Sequence, residues 1–138
     1  MFFNKKKETR EKYSYLVKIA ALLIHAAKID ENYSNEEKEI IKRTLLDLGA
    51  NQNELETLII KAKHDEENAN QILDFTKEIK NLEEKNKIKI IKSLWKIIYS
   101  NKNADMYETN LMRRLSGLLY IDSKTMGDIK EQIKKENS

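Results

Sequence analysis

Residues 22–40 read LLIHAAKIDENYSNEEKEI, and a related pattern recurs at residues 93–111 as SLWKIIYSNKNADMYETNL. In each copy an apolar segment with helical spacing runs into a polar turn, after which a second helical pattern begins. The similarity extends over residues 22–58 and 93–129 at a constant separation of 71 positions. A repeat of this length predicts two equivalent helical units within one chain.

The composition favours a single helical domain of ordinary size. The 138 residues include no proline, no cysteine and three glycines. Disulfides, thiolate zinc sites and iron–sulfur clusters are therefore excluded, and a phosphate-cradling glycine loop lacks its residues. The length suits one domain over residues 1–138, with its core at about 10–133.

The charge pattern argues against nucleic acid and against membrane insertion. There are 26 Lys and Arg residues against 23 Asp and Glu residues, and the two signs are interspersed. Nucleic-acid binding would require a concentrated basic face. The apolar start is too short for a signal peptide, and no run of about twenty apolar residues exists. These features predict a soluble, cytoplasmic protein without direct membrane insertion.

The spacing of apolar residues predicts about seven helices and no strands, an all-α fold. The predicted elements, in chain order, are residues 10–28, residues 35–48, a third helix from 51 to a charged break at 64–68, residues 72–79, residues 84–99, a sixth helix opened by Asp105, a seventh helix capped by Ser123, and a frayed tail at 134–138. Two three-helix units would then flank one inserted helix and pack around one core, because neither unit can bury its apolar face alone.

The apolar helix of residues 22–30, followed by Glu36-Glu37, resembles a family pattern of an apolar helix ending in Ala-Asp-Gly and then Ser/Pro-Glu-Glu. Residues 94–99 and 107–119 resemble the second such unit of the same pattern. That pattern is typical of the TerB-like domains, which are associated with tellurite resistance and related to the N-terminal domain of the DjlA co-chaperone. The resemblance covers roughly residues 15–130.

The resemblance implies an all-helical fold of about seven helices, a link to tellurium or another stress response, and a metal-binding role proposed for the family. The chain departs from the family at both glycines, which are replaced by Glu31 and Lys102, and the second aspartate is Asn101. A non-glycine residue is strained at positive φ, and Lys102 would repel a cation. The first turn is therefore the better candidate site.

The two polar turns carry side-chain oxygens at matched positions, the donors that a hard cation such as calcium prefers. The candidate ligands of a weakly bound divalent cation are Asp30, Asn32 and Glu37 in the first turn, and Asn101, Asp105 and Glu108 in the second. A true EF-hand is excluded, because Asn35 and Ile41 stand where that loop needs glycine and a bidentate glutamate.

Helix capping is the alternative explanation of the same side chains. A hydroxyl or carboxylate at an N-cap, with a glutamate three residues later, satisfies two orphan amides of a helix start. Ser34 with Glu37 and Asp105 with Glu108 have this spacing. The sequence alone leaves both explanations open.

Four other polar or aromatic features have ordinary structural explanations. His25 borders an apolar stripe and is expected to be partly buried, whereas His64 stands among charges and is expected in solvent. Trp95 falls on a core stripe. The pair Arg113-Arg114 could bind phosphate or an acidic patch of a partner, or could simply be exposed.

The functional hypothesis is a non-catalytic interaction module that binds a protein partner, in a stress-response or membrane-associated assembly. No catalytic triad, phosphate loop or nucleophile elbow is visible in the sequence. The alternative is a carboxylate-based, metal-dependent enzyme or accessory subunit acting through Asp30, Glu36 and Glu37. That alternative requires carboxylates with shifted pKa values in a concave pocket.

Overall fold

A computed structural model of the protein describes residues 2–28, 34–100 and 106–136, and the side chains of residues 10–28, 34–100 and 110–136. Within these ranges the chain forms seven α-helices and no strand. The helices are α1 (Phe2–Lys28), α2 (Asn35–Asp47), α3 (Leu55–Asn68), α4 (Leu73–Ile79), α5 (Glu84–Ser100), α6 (Met106–Leu118) and α7 (Ser123–Glu136), with a short 3-10 turn at Gln52–Glu54. The predicted all-α class is confirmed.

Helix α1 is the centre of the packing. From Ile19 to Ala27 every residue except His25 is buried, so this part of the helix is covered on nearly all sides. Helices α2, α3, α4 and α5 all pack against it. Four of the buried residues are alanines, and small side chains allow neighbouring helices to approach closely. A helix that is apolar all round can be stable only inside such a shell.

Helix α5 is the second buried helix, and it joins the two halves of the chain. It packs against α1, α2 and α7. Its contact with α2 includes a buried polar pair, Thr44 Oγ1 and Ser93 Oγ, at 2.5 Å. Its Lys87, also buried, donates from Nζ to the backbone oxygen of Leu119 at 3.0 Å, beyond the end of α6. The buried apolar side chains of both halves form one continuous cluster.

Helices α2 and α6 end in the same way. Gly49 (φ 106°) and Tyr120 (φ 57°) are the described residues with positive φ, and they lie 71 positions apart. The next residue in each case donates backward across five residues, Ala50 N to Leu45 O at 2.9 Å and Ile121 N to Ser116 O at 2.9 Å. This is the hydrogen bond of a Schellman C-cap. Both bounds of the two helices also lie 71 positions apart, whereas the duplication itself stays a prediction.

Two helices extend through segments for which the sequence predicts something else. The predicted break at 64–68 is wrong, because α3 continues to Asn68. Lys61 Nζ lies 3.0 Å from Asp65 Oδ1, and Asn68 Nδ2 donates to His64 O at 2.8 Å. These contacts between residues four apart stabilise a polar last turn. Helix α7 likewise continues through Lys134 and Lys135 to Glu136, within the predicted frayed tail.

The predicted cap of α7 is also corrected, by one residue. Asp122 Oδ1 accepts a hydrogen bond from the backbone N of Thr125 at 2.7 Å, so Asp122 and not Ser123 caps the helix. That hydrogen bond, and a second from the Thr125 hydroxyl, lower the pKa of the Asp122 carboxyl. Ser123 is instead the first helical residue and is exposed.

The helix ends predict the effect of an alanine at Gly49. The change Gly49→Ala should lower the free energy of unfolding by about 1–2 kcal/mol, because an L-residue is strained at this positive φ. A Cβ there would meet only the flexible end of Lys12, so backbone strain is the main cost.

Gly117→Ala is the matched control, since Gly117 lies in α6 with open space around its Cβ position. It should leave stability unchanged or raise it by up to about 1 kcal/mol. Urea unfolding of both variants measures the difference, and an equal effect of the two changes would contradict the strain argument.

Candidate functional site

The predicted cation ligands are only partly covered by the structure. Asp30, Asn32, Asn101 and Asp105 lie outside the described residues. Glu108 lies in α6, but its side chain is outside the described part. Glu37 is therefore the predicted ligand whose surroundings are known.

Glu37 is buried at the start of α2, with 2% of its surface exposed. Its Oε1 accepts a hydrogen bond from the backbone N of Ser34 at 2.9 Å, and its own N donates to Ser34 Oγ at 3.2 Å. The predicted capping box is thus confirmed. The negative charge of Glu37 at this end is also favoured by the helix dipole. The carboxylate fixes the junction at which the first polar turn meets α2.

On the other side of the same turn, the end of α1 is tied to α3 by one carboxylate. Glu66 Oε2 lies 2.8 Å from Lys28 Nζ, and Glu66 Oε1 lies 3.2 Å from His25 Nδ1. The Glu66 side chain is only 10% exposed, whereas those of His25 and Lys28 are 39% and 42% exposed. His25 is partly buried, as expected, and its contact with Glu66 is structural. Together with the Lys28 contact it holds the end of α1 against α3.

The hydrogen bond from Lys28 to Glu66 raises the pKa of the Lys28 ammonium above 10.5, since it favours the charged form. A raised lysine pKa contributes stability that is fully present below 10.5. That contribution is lost as the pH rises through the folded-state value. The charge of Lys28 therefore supports the fold at neutral pH, and on the alkaline side its contribution is lost only above pH 10.5.

The part of the chain that the structure describes contains no group of three or more His, Cys, Asp or Glu side chains able to hold a metal ion. In the same part, none of the helices combines the length and apolar composition needed to cross a bilayer. The cation site predicted at the polar turns, most of whose candidate ligands lie outside the described ranges, stays a prediction.

A separate concave site lies between α5, α6 and α7, and we call it the α5–α7 cleft. Its volume is about 230 Å³. The buried lining residues are Trp95 from α5, Met112 from α6 and Met126 from α7. These side chains form an apolar floor, which agrees with the predicted core position of Trp95.

The rim of the α5–α7 cleft is polar. Arg113 and Ser116 come from α6, and Ser123, Gly127 and Lys130 come from α7. Gly127 leaves open space where a side chain would stand. Both charged residues of the rim are cations, so the cleft carries a local positive charge above an apolar floor.

The tryptophan of the floor carries an unpaired donor. Trp95 Nε1 is buried and has no hydrogen-bond partner among the described residues. An unsatisfied buried donor costs about 1–3 kcal/mol. The indole stacks on Tyr99 with a centroid distance of 5.8 Å, and Lys130 Nζ lies 5.5 Å from the indole centroid. Burial and the nearby Glu131 raise the pKa of the Tyr99 hydroxyl.

A larger depression of about 510 Å³ lies beside α3 and α4, and it is lined by charged side chains of both signs. His64 is exposed there, as expected. The Lys61–Asp65 ion pair and the Asn68–His64 hydrogen bond both lie in its wall. The α5–α7 cleft is the better candidate binding site, because its charges have one sign and its indole has no acceptor among the residues that the structure describes.

Sequence reasoning missed Glu66 and the cleft. Glu66 is separated from His25 by 41 positions, and no local pattern reports such a contact. The sequence contains only a weak indication of the cleft. Four of its lining residues have the spacing of one helix face: Ser123, Met126, Gly127 and Lys130. Only the packing of three helices brings that face opposite Met112 and Arg113.

The Glu66 contacts predict the effect of Glu66→Gln on Lys28. The pKa of the Lys28 ammonium should fall toward 10.5 in this variant, because the charged partner is lost. Stability near neutral pH should fall by about 0.2–1 kcal/mol, the range of solvent-screened ion pairs, and the difference should vanish in strong alkali. NMR titration of the lysine side chains and urea unfolding measure both effects.

Asp65→Asn is the matched control. It removes the same charge from the residue that precedes Glu66, and it breaks only the Lys61–Asp65 ion pair. The Lys28 pKa should be unchanged in this variant. An identical Lys28 titration in the wild type and Glu66→Gln would contradict the assigned cause.

The chain is similar to a known protein family over nearly all of its helices. The sequence model of the family described as tellurite resistance protein TerB matches residues 16–131. Neither the curated proteins nor the solved structures yield a match. The matched region begins at Leu16, where the buried part of α1 begins, and ends within α7. Because it covers most of the chain, the protein belongs to the TerB family.

Proposed function

We propose that the protein is a non-catalytic helical interaction module of the TerB family, which binds a protein partner in a response to tellurite or another stress. The observation that carries the proposal is the family match over residues 16–131. The link to tellurite comes from the description of that family. Fold alone does not define a function. The proposal therefore rests also on the structural roles of the described carboxylates at the start of α2.

The described carboxylates of the first turn support a structural use. Glu37 caps α2 through Ser34, and Glu36 is exposed to solvent. The enzyme alternative would need these acids in a concave pocket. Neither lines the α5–α7 cleft, the candidate binding site that the structure offers. The described part of the turn therefore favours a scaffold over a reaction centre.

The proposal includes a weak divalent-cation site at the first polar turn, formed by Asp30, Asn32 and Glu37. What supports it is the chemistry of these oxygen donors and the fixed position of Glu37 beside the turn. The capping role of Glu37 does not exclude coordination, because a carboxylate oxygen has two lone pairs. The second turn is proposed to be a structural counterpart, since Lys102 stands in it.

Affinity capture tests the interaction module. The full chain, used as bait in lysates of source cells grown with and without tellurite, should recover a specific protein partner. Leu23→Asp is the matched control bait, because a charge at this fully buried position should unfold the module. If the folded and unfolded baits recover the same proteins under both growth conditions, the proposal is wrong.

Calcium titration followed by amide NMR tests the cation site. Millimolar calcium should shift the amide signals of residues 30–37, and Asp30→Asn should abolish the shifts. Asp105→Asn, which makes the same change in the second turn, should leave them unaltered. Unchanged signals of residues 30–37 in the wild type would remove the cation site from the proposal.

A further inference from the structure

The charges of the α5–α7 cleft lack an acidic counterpart in the part of the chain that the structure describes. Within the described residues neither Arg113 nor Lys130 forms an ion pair with an acidic side chain, and Lys130 Nζ lies instead near the ring of Trp95. Helix α7 also carries Asp128 and Glu131, but neither lines the cleft. A carboxylate complements this rim, because it forms charge-assisted hydrogen bonds with both arginine and lysine.

The size of the cleft limits what can occupy it. Complete small-molecule sites usually enclose about 300–1,000 Å³. The cleft, at about 230 Å³, is smaller and is open to solvent between its three helices. Its floor of Trp95, Met112 and Met126 suits one apolar or aromatic side chain. Aromatic side chains in such pockets are common anchors of protein interfaces.

The unpaired donor of Trp95 is an independent indication of a missing acceptor. Its Nε1 is buried without a hydrogen-bond partner in the described structure, and buried indole N–H groups usually have one. Lys130 lies near the same ring, so a group that draws the ammonium away would also alter access to the indole. Because the Nε1 atom is buried, an oxygen acceptor of an occupant can reach it only if a side chain near the ring, such as that of Lys130, moves.

We propose that the α5–α7 cleft binds an acidic segment of the protein partner, with one aromatic side chain on the apolar floor and carboxylates paired with Arg113 and Lys130. This inference rests on the proposed function as an interaction module and adds the chemistry of the segment that it recognises. The partner segment combines an aromatic residue with flanking acids. Its carboxylates supply specificity and orientation, and its ring supplies most of the contact area.

Trp95 is the only tryptophan of the chain, so its fluorescence reports directly on the cleft. The probe is a capped tripeptide of glutamate, phenylalanine and glutamate. It should change the Trp95 emission in a saturable way, with a dissociation constant about ten-fold lower than that of peptides with glutamine in place of glutamate or alanine in place of phenylalanine. The binding should weaken with added salt, because the ion pairs are near the surface.

Two pairs of variants locate the site. Arg113→Glu should weaken peptide binding about ten-fold, whereas Arg114→Glu, an equal change at an exposed neighbour outside the cleft, should have little effect. Gly127→Leu should fill the cleft and weaken binding by a similar factor, whereas Gly117→Leu should not. Both glycine variants should fold, since open space surrounds each Cβ position.

Three results would overturn the inference. One is equal binding of the acidic and the neutral peptides, or no binding of the acidic peptide. Another is an equal loss of binding in Arg113→Glu and Arg114→Glu, or in the two glycine variants. The third is binding of benzoate as tight as that of the peptide, which would assign the cleft to small organic acids.

Capture with Gly127→Leu as bait separates this inference from the proposed function. Recovery of the partner by the wild type but not by this variant supports both. Equal recovery by the two baits keeps the interaction module and overturns the cleft as its docking site. Peptide binding without recovery of any partner supports the cleft chemistry and counts against the proposed module.

Discussion

The burial of the middle of α1 on all sides is the constraint on which the remaining structure depends. Residues from Ile19 to Ala27, with His25 as the exception, have almost no contact with water. Such a segment cannot be covered by one partner helix, so α2, α3, α4 and α5 must surround it. Helix α5 then exposes a second apolar stripe, and α7 packs against it. The arrangement of these helices around the core therefore follows from the need to cover α1.

Polar side chains in this shell act mainly at junctions. Glu37 joins the first turn to α2, Glu66 joins α1 to α3, and Thr44 meets Ser93 between α2 and α5. The Thr44 and Ser93 hydroxyls also contact backbone carbonyls of their own helices, so this pair is part of a small buried polar network. Against this background the indole N–H of Trp95 and the hydroxyl of Thr76 are exceptions, since neither has a hydrogen-bond partner among the described residues. Only the indole adjoins an open, positively charged cleft.

The helices and most of the core could be predicted because apolar spacing is a local signal. The errors at helix ends arose where two local signals compete. Residues 64–68 read as a break, yet polar pairs four residues apart continue the helix there. Asp122 and Ser123 are both good N-caps, and only the backbone path distinguishes them. Glu66 and the α5–α7 cleft depend on contacts between distant segments, which no single helical pattern contains. The capping box at Ser34 was predictable because its whole geometry lies within four residues.

The contact of Lys87 with Leu119 has a consequence for local unfolding. Helix ends usually fray because their last carbonyls have no hydrogen-bond donor within the helix and bind water instead. Here the carbonyl beyond α6 accepts from a buried ammonium of another helix. Opening this end would leave the ammonium without its acceptor in a poorly hydrated place, which is costly. The end of α6 is thereby coupled to α5, so the two should open together as one cooperative unit.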